Sequence, residues 1–146
     1  MWIGEHSIET SARPEQVWRL WADVDGWPQW NGDIERIELH GSFAIGGRIM
    51  MTPPGQETIE LRIADVVEPV LFVDEASLDD VVIRTTHRVQ RVGYERSRVT
   101  YRMEIDGPAA DTLGPQLGPA ISADFPEVLA ALVACAETRS TTQPEQ

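Results

Sequence analysis

GPAADTLGPQLGPAISADFPEVLAALVACAE, residues 107–137, is the stretch whose reading decides the fold. Leu113, Leu117, Ile121, Phe125, Leu129 and Val133 recur at steps of four, and Val128, Leu132 and Ala136 widen the stripe. That spacing predicts one apolar face along a long helix, because side chains three and four residues apart share a side. Pro115, Pro119 and Pro126 interrupt it. A proline lacks the N–H donor and collides with the carbonyl four residues back. Asp124-Phe125-Pro126-Glu127 reads as a second start: Asp124 as N-cap, Glu127 at the reciprocal capping-box position, proline in the first turn. The expectation is a helix bent near Asp124, its apolar face laid on a sheet made by the rest of the chain.

Working outward, Ile3 to Thr10 reads as a strand, and Arg13-Pro14-Glu15 opens a helix whose Val17, Leu20, Trp21 and Val24 form a buried face. Trp18 sits on its edge, and Asp25 to Trp30 makes a second short helical piece. The period then changes to two. Strands are predicted at Ile34 to Leu39, Arg48 to Thr52, Thr58 to Val66, Val70 to Ala76, Val81 to Val92 and Arg96 to Ile105. Pro53-Pro54-Gly55, Glu68-Pro69, Ser77-Leu78-Asp79-Asp80 and Gly93-Tyr94 separate them. Short connections imply an antiparallel meander, and strands segregated from a covering helix make the class α+β. The last hairpin fixes its own register. An odd loop, of three residues at Gly93-Tyr94-Glu95 or of five, pairs Ile83 with Ile105, Thr85 with Met103, His87 with Tyr101 and Val89 with Val99. It also sets Arg84 opposite Glu104. A two-residue loop would oppose Ile83 with Glu104 and mix the faces, which burial forbids.

Bulk properties narrow the function classes. At 146 residues the chain makes one domain that needs no disulfide or metal staple. A single cysteine, Cys135, excludes a disulfide framework and reads as a small buried or half-buried thiol. The net charge is −12 and the chain has no lysine, which argues against a nucleic-acid partner. The N-terminus has no basic or apolar leader, and no stretch is read as a membrane span, so a cytoplasmic protein without membrane insertion is expected. The predicted domain is 1–137, with 138–146 a polar tail.

Ala12-Arg13-Pro14-Glu15-Gln16-Val17-Trp18, then Trp27-Pro28-Gln29-Trp30, then Gly107-Pro108-Ala109 to Asp124-Phe125-Pro126 carry a resemblance. In this order of elements the chain resembles the START-like, or helix-grip, superfamily, and within it the polyketide cyclase/dehydrase and lipid-transport (SRPBCC) family. The resemblance implies a curved antiparallel sheet of about seven strands wrapped on the long C-terminal helix, with two short helices after the first strand. It also implies a cavity between sheet and helix that holds a small hydrophobic molecule.

Given such a cavity, His87 is the residue to single out. It lies mid-strand on the inward parity with Tyr101 opposite, where an imidazole can accept a proton and a phenol can donate to a developing oxyanion. A core histidine satisfied by Tyr101, Thr85 or water is the plainer alternative. Thr85, Met103, Leu61, Phe72 and Phe125 complete the candidate lining, with Trp30 at one end, where it can shape the pocket or anchor the short helix. Of Met50 and Met51 only one can face inward; parity leaves the choice open, and Met50 is carried as the candidate. Asp124 can cap a helix or, turned inward, orient His87. Arg84, Arg88 and Arg102 fall on the outer parity. The three histidines lack metal-ligand spacing, and no phosphate loop or nucleophile elbow is present, so no cofactor is expected. The first reading is binding or carriage of a small hydrophobic ligand by a monomer or homodimer. The alternative is a cyclase, dehydratase or isomerase on a polyketide-like carbonyl compound, with His87 as general base and Tyr101 as donor. A third is a protein-interaction module.

Overall fold

The computed structural model describes residues 1–78 and 80–142, the last three by backbone alone. In chain order these are β1 (Trp2–Thr10), α1 (Pro14–Ala22), a 3-10 segment (Val24–Gln29), β2 (Arg36–His40), β3 (Arg48–Thr52), β4 (Ile59–Val67), β5 (Leu71–Leu78), β6 (Val81–Gly93), β7 (Arg96–Asp106), α2 (Ala110–Ser122) and α3 (Phe125–Thr142). The strands make one curved antiparallel sheet in the order β1-β7-β6-β5-β4-β3-β2. β2 to β7 are thus the predicted meander, and β1 closes on β7 at its far end.

Pro14 takes the first turn of α1, and the Gln16 side chain accepts the Arg13 N–H at 2.8 Å. Val17, Trp18, Leu20 and Trp21 are buried beneath it. The Trp27 indole N–H donates to the Trp21 carbonyl at 3.0 Å, tying the 3-10 segment to α1. α2 packs on β1 and β7, and α3 on β1 and α1. Leu129, Leu132, Val133 and Ala136 of α3 are buried, as their spacing requires. By length and composition Ala110–Arg139 could cross a membrane, contrary to the expectation that no stretch approaches that size. In this fold it is a core helix.

The register of the last hairpin is as predicted, from Ile83 opposite Ile105 to Val89 opposite Val99. Its turn is not. Gly93 pairs with Arg96 across a two-residue tip, and a register shift between Arg91 and Gly93 supplies the extra residue. A bulge therefore does what an odd loop was expected to do. Arg84 lies opposite Glu104, but its guanidinium bonds to Glu75 of β5, while Arg102 approaches Glu5 and Glu104.

The long helix divides where Asp124 predicted, into α2 and α3. In α2, however, the buried face is not the leucine stripe: Ala110, Gly114, Gly118 and Ser122 are buried, Leu113 and Leu117 half-buried, and Ile121 exposed. The cause is Trp2. A Cβ on Gly114 would stand 2.7 Å from the Trp2 Cβ, and one on Gly118 2.4 Å from its Cδ2, so only glycine lets the indole lie there. Pro115 and Pro119 fall on the exposed side. α3 runs on to Thr142, past the predicted start of the tail; residues 143–146 lie outside the described residues. So does Asp79 of the predicted 77–80 turn, whose Ser77 and Leu78 belong to β5.

Candidate functional site

Opposite the α2–α3 junction, the inner face of the sheet is not filled. A cavity of about 630 Å³ lies there, walled by β3 to β7 on one side and by Ala120, Ile121, Ala123, Asp124, Phe125 and Val128 on the other. At the junction Phe125 is buried and meets Tyr101 of β7 edge-on at 5.6 Å, while α3 beyond Val128 buries Leu129, Leu132 and Val133. Exposed lining residues Asp33, Pro54, Gln56, Leu78 and Ile121 mark the mouth.

At the other end the register of β5, β6 and β7 brings four polar side chains together. Phe72 faces His87, Asp74 faces Thr85, and His87 faces Tyr101. The His87 ring stacks on Phe72 with centroids 3.9 Å apart and planes 3° from parallel, and meets Tyr101 edge-on at 4.6 Å. His87 Nδ1–H donates to the Phe72 carbonyl at 3.3 Å, so in the neutral ring Nε2 carries the lone pair. That Nε2 lies 3.9 Å from Asp74 Oδ2, beyond hydrogen-bond reach. The Tyr101 hydroxyl accepts the Trp21 indole N–H at 3.1 Å, leaving its own proton free to donate.

Burial sets the charges. It lowers the His87 imidazole to about 3, against which the bond to the Phe72 carbonyl works weakly. It raises the Asp74 carboxyl to about 7, helped by neighbouring Glu75. Tyr101 is raised as well, by burial first, with the Trp21 indole opposing. At the mouth, burial and a hydrogen bond with Asp33 raise Asp124 to about 7. Two carboxyls can share such a bond only by holding a proton between them.

Thr85, His87, Tyr101, Met103, Leu61, Phe72, Trp30 and Phe125 all line the cavity. Met50 does not. It sits between Glu38 and Glu60 on the outer face, and Met51, between Ile37 and Ile59, lines the cavity in its place. Asp124 does not turn to His87; its partner is Asp33. Sequence reasoning missed Asp74, although it lies two residues beyond inward-facing Phe72 on one strand and so shares its parity. It also assigned Trp21 to the core alone. That indole is fully buried, yet its edge borders the cavity beside Trp27.

Comparison with known proteins fits this geometry. No curated protein matches the sequence. Among solved structures, a norcoclaurine synthase point mutant from Thalictrum flavum superposes with a TM-score of 0.76 at 15 % identity, covering 94 % of this chain and 95 % of that one. A START superfamily protein from Mycobacterium smegmatis gives 0.70 at 16 %, covering 93 % and 97 %. XoxI from Bacillus cereus gives 0.73 at 20 %, covering 92 % and 95 %. At these identities the likeness is one of fold. The sequence itself matches the family model for polyketide cyclase / dehydrase and lipid transport over residues 1–137, and the chain belongs to that family.

Proposed function

We propose that the protein binds a small, largely apolar molecule in this cavity, with Asp74, Thr85, His87 and Tyr101 meeting its polar groups. The observation that carries the reading is the unfilled volume of about 630 Å³ itself. Protein interiors pack to the density of organic crystals, and ligand pockets span roughly 300–1,000 Å³, so a void of this size with a polar floor suits an occupant. Family membership supports it, since the family description includes lipid transport. Native mass spectrometry, on the protein as purified and after exposure to a broad hydrophobic library, tests it. One bound molecule per chain is expected; no bound species in either experiment would overturn it.

A second reading rests on Asp74. A carboxyl near pH 7 beside a free imidazole nitrogen suits proton transfer to and from a carbonyl compound, as cyclase, dehydratase or isomerase chemistry requires. His87, held at about 3, is a weak base, so Asp74 carries the proton in this reading and Tyr101 donates to the developing oxyanion. Turnover of a polyketide-like carbonyl compound should fall at least tenfold in Asp74→Asn and in Tyr101→Phe. Full rate in Asp74→Asn would sink the catalytic reading and leave binding intact.

A further inference from the structure

We infer that the cavity selects a ligand bearing an amino nitrogen, seated between the Asp74 carboxylate and His87 Nε2, and rejects carboxylates of the same shape. This rests on the reading of the cavity as a ligand site and names the class of occupant.

The two acceptors at the floor carry the argument. The Asp74 side chain is 9 % exposed and lines the cavity, and among the described residues no donor forms a hydrogen bond to it. His87 Nε2 is in the same state, because the ring spends its one N–H on the Phe72 carbonyl. Buried polar groups are ordinarily hydrogen-bonded, and within the protein these two acceptors have no donor, so only what occupies the cavity can meet them. These two stand 3.9 Å apart. A nitrogen about 2.8 Å from each subtends an angle near a right angle, within reach of two hydrogens on one amine. A hydroxyl has one hydrogen and can satisfy one acceptor. A carboxylate has none and can satisfy neither acceptor.

Charge points the same way. The ionisable side chains lining the cavity are Asp33, Asp74, Asp124, His87 and Tyr101, and no arginine is among the described lining residues. The chain has no lysine to reach in. No cationic side chain on these walls balances an anion, which only neutral donors such as the Tyr101 hydroxyl could meet, whereas an ammonium would meet Asp74 at the floor and pass the Asp33–Asp124 pair at the mouth. Burial first, and then the Glu75 charge, raises the Asp74 carboxyl, and a bound ammonium would oppose both.

Isothermal titration of the full chain with 4-phenylbutylamine, 4-phenylbutan-1-ol and 4-phenylbutanoate at pH 8 tests this. The three probes share the apolar part and differ at the head. The amine should bind at least tenfold tighter than the alcohol, and the carboxylate weakest of the three. In Asp74→Asn, with its fold checked by circular dichroism, the ratio of amine to alcohol affinity should fall toward one. The wild-type ranking stands as a test even where that variant fails to fold. Carboxylate binding as tight as the amine's would overturn the inference, as would an undiminished amine advantage in Asp74→Asn; both leave the cavity a ligand site. Binding of none of the three would overturn the ligand-site reading and this inference with it.

Discussion

Asp74 and His87 are buried together, and their protons respond to pH in opposite senses. His87 falls from 6.5 to about 3, so between those values the folded chain holds fewer protons there than the unfolded one. Its contribution to stability rises with pH across that window. Asp74 rises from 3.8 to about 7, so the folded carboxyl keeps a proton the unfolded one releases. Its contribution is present below pH 3.8 and is lost as pH climbs to about 7. Between about pH 4 and 6.5 the two slopes cancel: unfolding moves one proton from Asp74 to His87 without taking up or releasing any. Single substitutions should expose what the pair hides. Relative to wild type, His87→Gln should lose stability as pH rises from about 3 to 6.5, and Asp74→Asn should gain it from about 4 to 7. Each shift of roughly three pH units corresponds to about 4 kcal/mol. Asp124 adds a falling slope of its own to all three proteins, so the comparison is with wild type. Urea unfolding over this pH range measures it, and profiles parallel to wild type in both variants would contradict the paired burial. Asp74 was legible in the sequence, by parity with Phe72. The Asp33–Asp124 bond was not, because nothing local links a loop after the 3-10 segment to a helix junction near the other end of the chain.

At the scale of elements, alternation located the strands and parity fixed which residues meet. Turn chemistry was less legible. Val92 could be read as the last residue of a strand or as the extra residue of a bulge, and both give the same pairing from Arg91 inward. The face of α2 was misread for a physical reason: a leucine stripe marks burial only where the partner surface leaves room for leucine. Here the partner is an indole, and glycines at 114 and 118 admit it. Ala exceeds Gly in helix preference by about 1 kcal/mol, so an unobstructed Gly114→Ala would stabilise the protein. With its Cβ 2.7 Å from the Trp2 Cβ, which cannot swing away without moving β1, it should instead destabilise by about 1–3 kcal/mol. In a Trp2→Gly background, which removes that Cβ with the indole, the same substitution should become stabilising. Denaturant midpoints of the four proteins of this cycle decide it, and a stabilising Gly114→Ala with Trp2 present would refute the packing described.

For the molecule as a whole, the fold was readable because each level agreed: a Pro-opened helix after one strand, a meander with short turns, and a broken amphipathic helix at the end. The cavity was readable only through the family resemblance, since no single segment encodes a void. It lies between the curved sheet and the α2–α3 junction, elements far apart in the chain. Which wall residues are polar then depends on register across three strands. The central claim is that this volume takes an apolar guest. The most direct measurement is titration with N-phenyl-1-naphthylamine, a neutral dye that brightens in apolar surroundings, on wild type and on a variant with the cavity filled. Ala76 is buried, small and on the wall, so Ala76→Phe projects a ring into the space. Wild type should bind one dye per chain with saturable brightening, and Ala76→Phe, folded by circular dichroism, should lose that binding at least tenfold. Failure of wild type to bind, or equal binding by the filled variant, would contradict the account.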